Sequence, residues 1–128
     1  MTQYFIGIGS NDQADESCRL MIAALRNQFD DVQVSKLVRT PAHGIEAPDY
    51  LNGVACFDSS MTAEALNLWC KALELRLGRD RRQALCRADL DILLVVDNND
   101  QIQPDSVDEV YFRPLINELL EDIRETEF

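Results

Sequence analysis

Four stretches of the chain are apolar and rich in β-branched residues, and three others repeat apolar positions at helical spacing. Gln3 to Ile8 reads as a short buried strand, and Gly9-Ser10-Asn11 behind it has strong turn character. Cys18, Met21, Ile22, Leu25 and Phe29 then mark one face of a helix over about Asp15 to Phe29. Val32, Val34 and Val38 predict a second strand ending near Arg39, and Tyr50 to Phe57 a third, across a turn-rich loop from Thr40 to Asp49. Thr62 is placed to cap a helix whose stripe is Leu66, Cys70, Leu73 and Leu77, with Gly78 closing it. Ala88 to Val96 is the fourth strand, Asp97-Asn98-Asn99-Asp100 turns the chain away, and Pro114 opens a last helix with Leu115, Leu119, Leu120 and Ile123 inward. The order βαββαβ plus a helix predicts an α+β, ferredoxin-like split βαβ fold. In it, a four-stranded antiparallel sheet carries its helices on one face, as a single domain over residues 1–128.

Charge narrows the partners. Twelve basic against twenty-three acidic residues give −11, which argues against a nucleic-acid-tracking surface or an anionic membrane surface. No apolar run approaches the roughly 18 residues of a membrane span, and Met1-Thr2-Gln3 lacks a basic leader, so a cytoplasmic protein is expected. Cys18, Cys56, Cys70 and Cys86 have no CxxC spacing and there is one histidine, His43, so no zinc pattern forms and reduced thiols are expected. A polyanionic ligand would have to be met locally. Arg76, Arg79, Arg81, Arg82 and Arg87, five of the twelve basic residues, gather just before the fourth strand.

That strand begins Asp89-Leu90-Asp91, which sets two carboxylates on one face. A pair held against a sheet is costly without cations, and Mg²⁺ takes such oxygens together with substrate phosphates; the plain alternative is a strand end open to water. An acidic chain that gathers its arginines beside paired aspartates has the layout of a polyphosphate site.

Three pieces fall at element ends: Gly9-Ser10-Asn11, the stretch from Thr40-Pro41 to Pro48-Asp49-Tyr50-Leu51-Asn52, and Asp89-Leu90-Asp91-Ile92. With Gly78-Arg79 between them, this ordered set resembles the hydroxymethyl-dihydropterin pyrophosphokinase (HPPK) family of folate biosynthesis, in a shortened and divergent form. The resemblance implies transfer of a pyrophosphoryl group from ATP to 6-hydroxymethyl-dihydropterin, giving AMP. It implies that Asp89 and Asp91 hold two Mg²⁺ ions. Asn52 would read the pterin's amide edge, with Tyr50, Thr40 and Pro41 lining its pocket. Glu74 and Arg79 match positions near the nucleotide, and Arg79, Arg81, Arg82 and Arg87 are the candidates for catalytic contacts to phosphate. The partners are then a small pterin and ATP, with a monomer favoured.

Each residue also has a plain structural role open to it. Tyr50 could be strand packing, Glu74 could pair with Lys71 or Arg76 on a solvated helix face, and Gly9-Ser10-Asn11 could be only a turn and cap. The chain departs from the family pattern as well. Gln83-Ala84-Leu85-Cys86-Arg87 stands where an R-W-G-P-R-type segment is usual, and Trp69, on the preceding helix, cannot replace its tryptophan. Asp97 to Arg113 is short, acidic and without histidine; Val110 sits about where a ring-stacking phenylalanine is expected, with Tyr111 or Phe112 as alternatives. Weak turnover follows from losing several positioned groups. A divergent protein that binds pterin or nucleotide without transfer is the second reading, and an assembly module using its acidic last helix the third.

Overall fold

The computed structural model describes residues 1–42, 47–97 and 101–126. His43 and the turn expected at residues 98–100 lie outside them. The elements are β1 (Thr2–Ser10), α1 (Ala14–Gln28), β2 (Gln33–Val34), β3 (Val38–Thr40), β4 (Tyr50–Ser59), α2 (Ala63–Arg76), β5 (Asp89–Val96), two single 3₁₀ turns (Pro104–Ser106 and Val110–Phe112) and α3 (Arg113–Thr126). The sheet is antiparallel in the order β2-β4-β1-β5, with β3 also pairing β4. This is the α+β arrangement expected. Among the described residues, no helix is long and apolar enough to cross a membrane.

Two features differ from the expectation. The second strand is split, because Val34 pairs with Ala55 whereas Val38 pairs with Asn52, so β2–β3 spends one residue more than β4 over that stretch. The slip is stabilised locally. The Ser35 hydroxyl accepts from Val54 N–H, and the Lys36 N–H donates to Glu118 of α3. The second difference is that the helices do not share one face. Alternation in β1 sends Tyr4, Ile6 and Ile8 to a core with Cys18, Met21 and Leu25 of α1 and Leu66, Cys70 and Leu73 of α2. Phe5 points the other way, where Val54 and Cys56 meet Phe112, Leu115, Ile116 and Leu119, so α3 covers the opposite face. Trp69 belongs to the first core, edge-on to Phe29 at 5.2 Å between ring centroids.

Gly7 marks where the second core touches the sheet most closely. A Cβ built there would lie 2.9 Å from Phe112 Cζ and 3.2 Å from Leu93 Cδ2. Gly7→Ala is therefore expected to lift the Val110–Phe112 turn and to cost about 1–3 kcal/mol, read as a lowered denaturant midpoint. Three of the four cysteines, Cys18, Cys56 and Cys70, are buried in these cores. Burial pushes Cys18 up to about 11 and Cys56 and Cys70 up to about 12, so at pH 8 a thiol reagent should modify at most Cys86 in the native protein and all four in guanidinium.

Candidate functional site

The second face of the sheet carries a dent, and two glycines make it. Across the strands run Val38, Asn52, Gly9 and Asp89 as one row of neighbours, and Val54, Gly7 and Asp91 as the next. Phe5 fills the same column lower down; Gly7 and Gly9 carry no side chain, which lets Phe112 and the Asn52 amide come in close over the sheet, and a cavity of about 280 Å³ lies between Asn52 and the aspartates. Thr40, Pro41, Tyr50 and Asn52 line one side, Asp89 and Asp91 the other, and Glu109, Tyr111 and Phe112 close over it. Larger hollows exist, 370 Å³ beside Asp30, Asp31 and Asp58 and 670 Å³ along the arginine loop, but neither is lined by Asp89, Asp91 or Asn52.

Asn52 is buried, and its amide nitrogen donates to the Thr40 hydroxyl. Its Oδ1 stands over Gly9, 2.8 Å from where a Cβ would be, so only glycine there leaves the amide in place. Tyr50 turns its ring into the cavity; burial foremost, then the neighbouring Cys86 thiol and Asp89 charge, push its phenol up. Asn11 ties the rims together. Its backbone N–H donates to Cys86 O, its Oδ1 accepts from Cys86 N–H, and its Nδ2 donates to Pro48 O. The Gly9-Ser10-Asn11 segment is thus more than a turn.

Asp89 and Asp91 stand close enough to repel. Burial first, then the charge and hydrogen bonding of Asp91, raise Asp89 to about 6, against the lowering pull of Arg79. Arg79 reaches the pair through a helix end built for it. Gly78 takes φ +97°, its N–H donates to Leu75 O and the Arg79 N–H to Glu74 O, the two bonds of a Schellman close. The Arg79 guanidinium then lies 3.1 Å from Asp89 Oδ1, 3.1 Å from Glu74 Oε1 and 3.2 Å from Ala88 O.

Glu74, expected beside a nucleotide, is 2 % exposed and wholly engaged by the protein. It accepts from Leu90 N–H at 2.8 Å and Lys71 at 3.0 Å, with Arg79 and Arg81 on its other oxygen. Its geometry is that of a holder of cations along the edge of β5, rather than of a group open to a ligand or a member of a solvated helix face. The other arginines are not brought to the aspartates. Arg81 reaches only Glu74, at 3.7 Å, Arg82 is clasped by Asp80 within its own loop, and Arg87 faces Asp12 at 3.8 Å. Tyr111 and Phe112, rather than the exposed Val110, meet the cavity. Glu109 and Gly7 belong to none of the motifs in the sequence; a glycine alternating with Ile6 and Ile8 is the sign of the dent that the sequence carries.

The donor set fits a divalent ion that is completed by other ligands. Arg79 engages one oxygen of Asp89 and Lys71 one of Asp91, the two carboxylates stand against each other, and among the described residues no cluster of three or more His, Cys, Asp or Glu could hold an ion unaided. Two carboxylates plus phosphates and water is the usual Mg²⁺ arrangement.

No curated protein matches the chain individually. Residues 5–117, however, match the family model for 7,8-dihydro-6-hydroxymethylpterin-pyrophosphokinase (HPPK), a stretch that contains every wall of this cavity. With the glycine-floored dent, the buried amide and the aspartate pair all inside the matched stretch, the chain belongs to the HPPK family.

Proposed function

We propose that the protein transfers pyrophosphate from ATP to the hydroxymethyl group of 6-hydroxymethyl-dihydropterin, with Asp89 and Asp91 holding Mg²⁺. The observation that carries this reading is the cavity that sets the Asn52 amide across two glycines from the carboxylate pair. A flat ring suits a narrow cavity walled by Tyr50, Tyr111 and Phe112, and the remaining donor and acceptor capacity of Asn52 suits the amide edge of a pterin. Tyr50, Tyr111, Thr40 and Pro41 would hold the ring's faces and rim. Mg²⁺, when bound, neutralises phosphate charge and aligns the reacting oxygens. Arg79, among the described residues the arginine that touches the pair, would meet the transferred group's charge; Arg81, Arg82 and Arg87 could join only by leaving Glu74, Asp80 and Asp12. Glu74 then acts on the nucleotide indirectly, by aiming Arg79.

The test is incubation with Mg²⁺, ATP and hydroxymethyl-dihydropterin. AMP and the pterin diphosphate are expected in equal amounts, and no AMP above background at high protein concentration overturns the reading. The commitment of three arginines to the protein's own acids favours a second reading, a member that binds without transferring. Calorimetric heat with pterin or a non-hydrolysable ATP analogue, in the absence of AMP formation, would select it; no heat with either would remove it.

A further inference from the structure

Lys71 belongs to none of the motifs that mark the family in this chain, yet its ammonium lies against the carboxylate pair. Projecting from α2 around the edge of β5, it donates to Glu74 Oε2 at 3.0 Å, Leu90 O at 3.0 Å and Asp91 Oδ1 at 3.3 Å. An ammonium has three protons, and three acceptors take them. Two of the three hold the ammonium without help from Asp91, so the position is set by the helix and the strand edge rather than by the aspartate. On the far side Arg79 occupies Asp89 Oδ1. Three carboxylates, Glu74, Asp89 and Asp91, therefore face Lys71 and Arg79, with Arg81 at 3.7 Å from Glu74 as a third cation, and the pair offers a divalent ion far less negative potential than two bare aspartates would.

We propose that Lys71 is a resident monovalent cation of the pair, which keeps a divalent ion from settling there until a polyphosphate brings its own charge. The inference rests on the metal reading of Asp89 and Asp91. A unit positive charge held 3.3 Å from an Asp91 oxygen would raise the energy of a dication bound to that carboxylate, and phosphate oxygens would reverse that balance. Lys71 so acts as a positioning and selecting residue: it leaves Asp91 Oδ2 for the metal and makes loading depend on the nucleotide.

Mn²⁺ serves as the probe, its binding followed by the loss of the free-ion electron paramagnetic signal, without turnover. The protein alone should take up Mn²⁺ weakly, and α,β-methylene-ATP should make uptake strong, counted as signal lost beyond that of the same nucleotide without protein. K71Q and K71M, each checked for an unchanged cooperative melt, should bind Mn²⁺ alone at least about tenfold more tightly than wild type. D91N added to either should cancel the gain, and K71R should restore weak binding. A merely structural role for Lys71 would move affinity the other way. If the neutral variants bind no more tightly, or the gain survives D91N, the inference falls. The metal reading is judged separately by the nucleotide arm: Mn²⁺ uptake with α,β-methylene-ATP that D91N leaves unchanged overturns that reading, whatever the Lys71 variants do.

Discussion

Asp91→Asn is expected to lower AMP formation by about 10²–10³-fold while leaving the fold intact. Asparagine keeps the shape and can still accept from Lys71, so the ion network along β5 survives; only the anionic oxygen for a dication is lost. The assay is AMP release at saturating Mg²⁺ and ATP, with melting curves to show that the variant is native. Equal rates for wild type and variant would detach the aspartates from the chemistry. Asp89→Asn should lose a similar factor and show a further signature. Burial and the facing Asp91 charge both oppose ionisation of Asp89 in the folded protein, so removing that charge with metal chelated should leave the melting temperature equal to wild type or above it. A residue kept for packing alone would not combine lost turnover with retained or improved stability.

The largest loss of stability is expected from Glu74→Ala. The carboxylate is buried and serves Leu90 N–H, Lys71, Arg79 and Arg81 together. Removing it strands cations and a strand-edge amide, a class of change that costs about 3–5 kcal/mol. Lys71 and Arg81 retain access to water, which places the expectation near 3 kcal/mol, measured as the shift in urea unfolding free energy. Glu74→Gln should cost less, since its carbonyl can still accept from Leu90. A change under about 0.5 kcal/mol for Glu74→Ala would show that the edge of β5 does not depend on it.

Much of this architecture is legible in the sequence because periodicity reports which residues are buried. Tyr4, Ile6 and Ile8 announce one face of β1, and the α2 stripe and its Thr62 and Gly78 ends fall where the pattern puts them, Thr62 accepting from Ala65 N–H. What periodicity does not report is the side of the sheet. Val34 and Val38 are an even number of residues apart and look like one face, but the extra residue between them sends Val34 to the first core and Val38 to the second. The stripe of α3 likewise says that it must bury Leu115 and Leu119, without saying against which face. At the site, motif residues Thr40, Pro41, Tyr50, Asn52, Asp89 and Asp91 come together as their order suggests. The arginines mislead, because counting charge cannot tell which acids will claim it: Asp80 and Asp12 are close competitors, and only Arg79 is delivered to the pair by the helix end.

Asn11 gives the two rims of the cavity a shared fate. One short side chain, with its own backbone, spans from the loop before β4 to the loop before β5, and no covalent connection otherwise joins them at that point. A guest that ordered one loop would therefore reduce the entropy left to be lost by the other, and so would lower the cost of admitting a second.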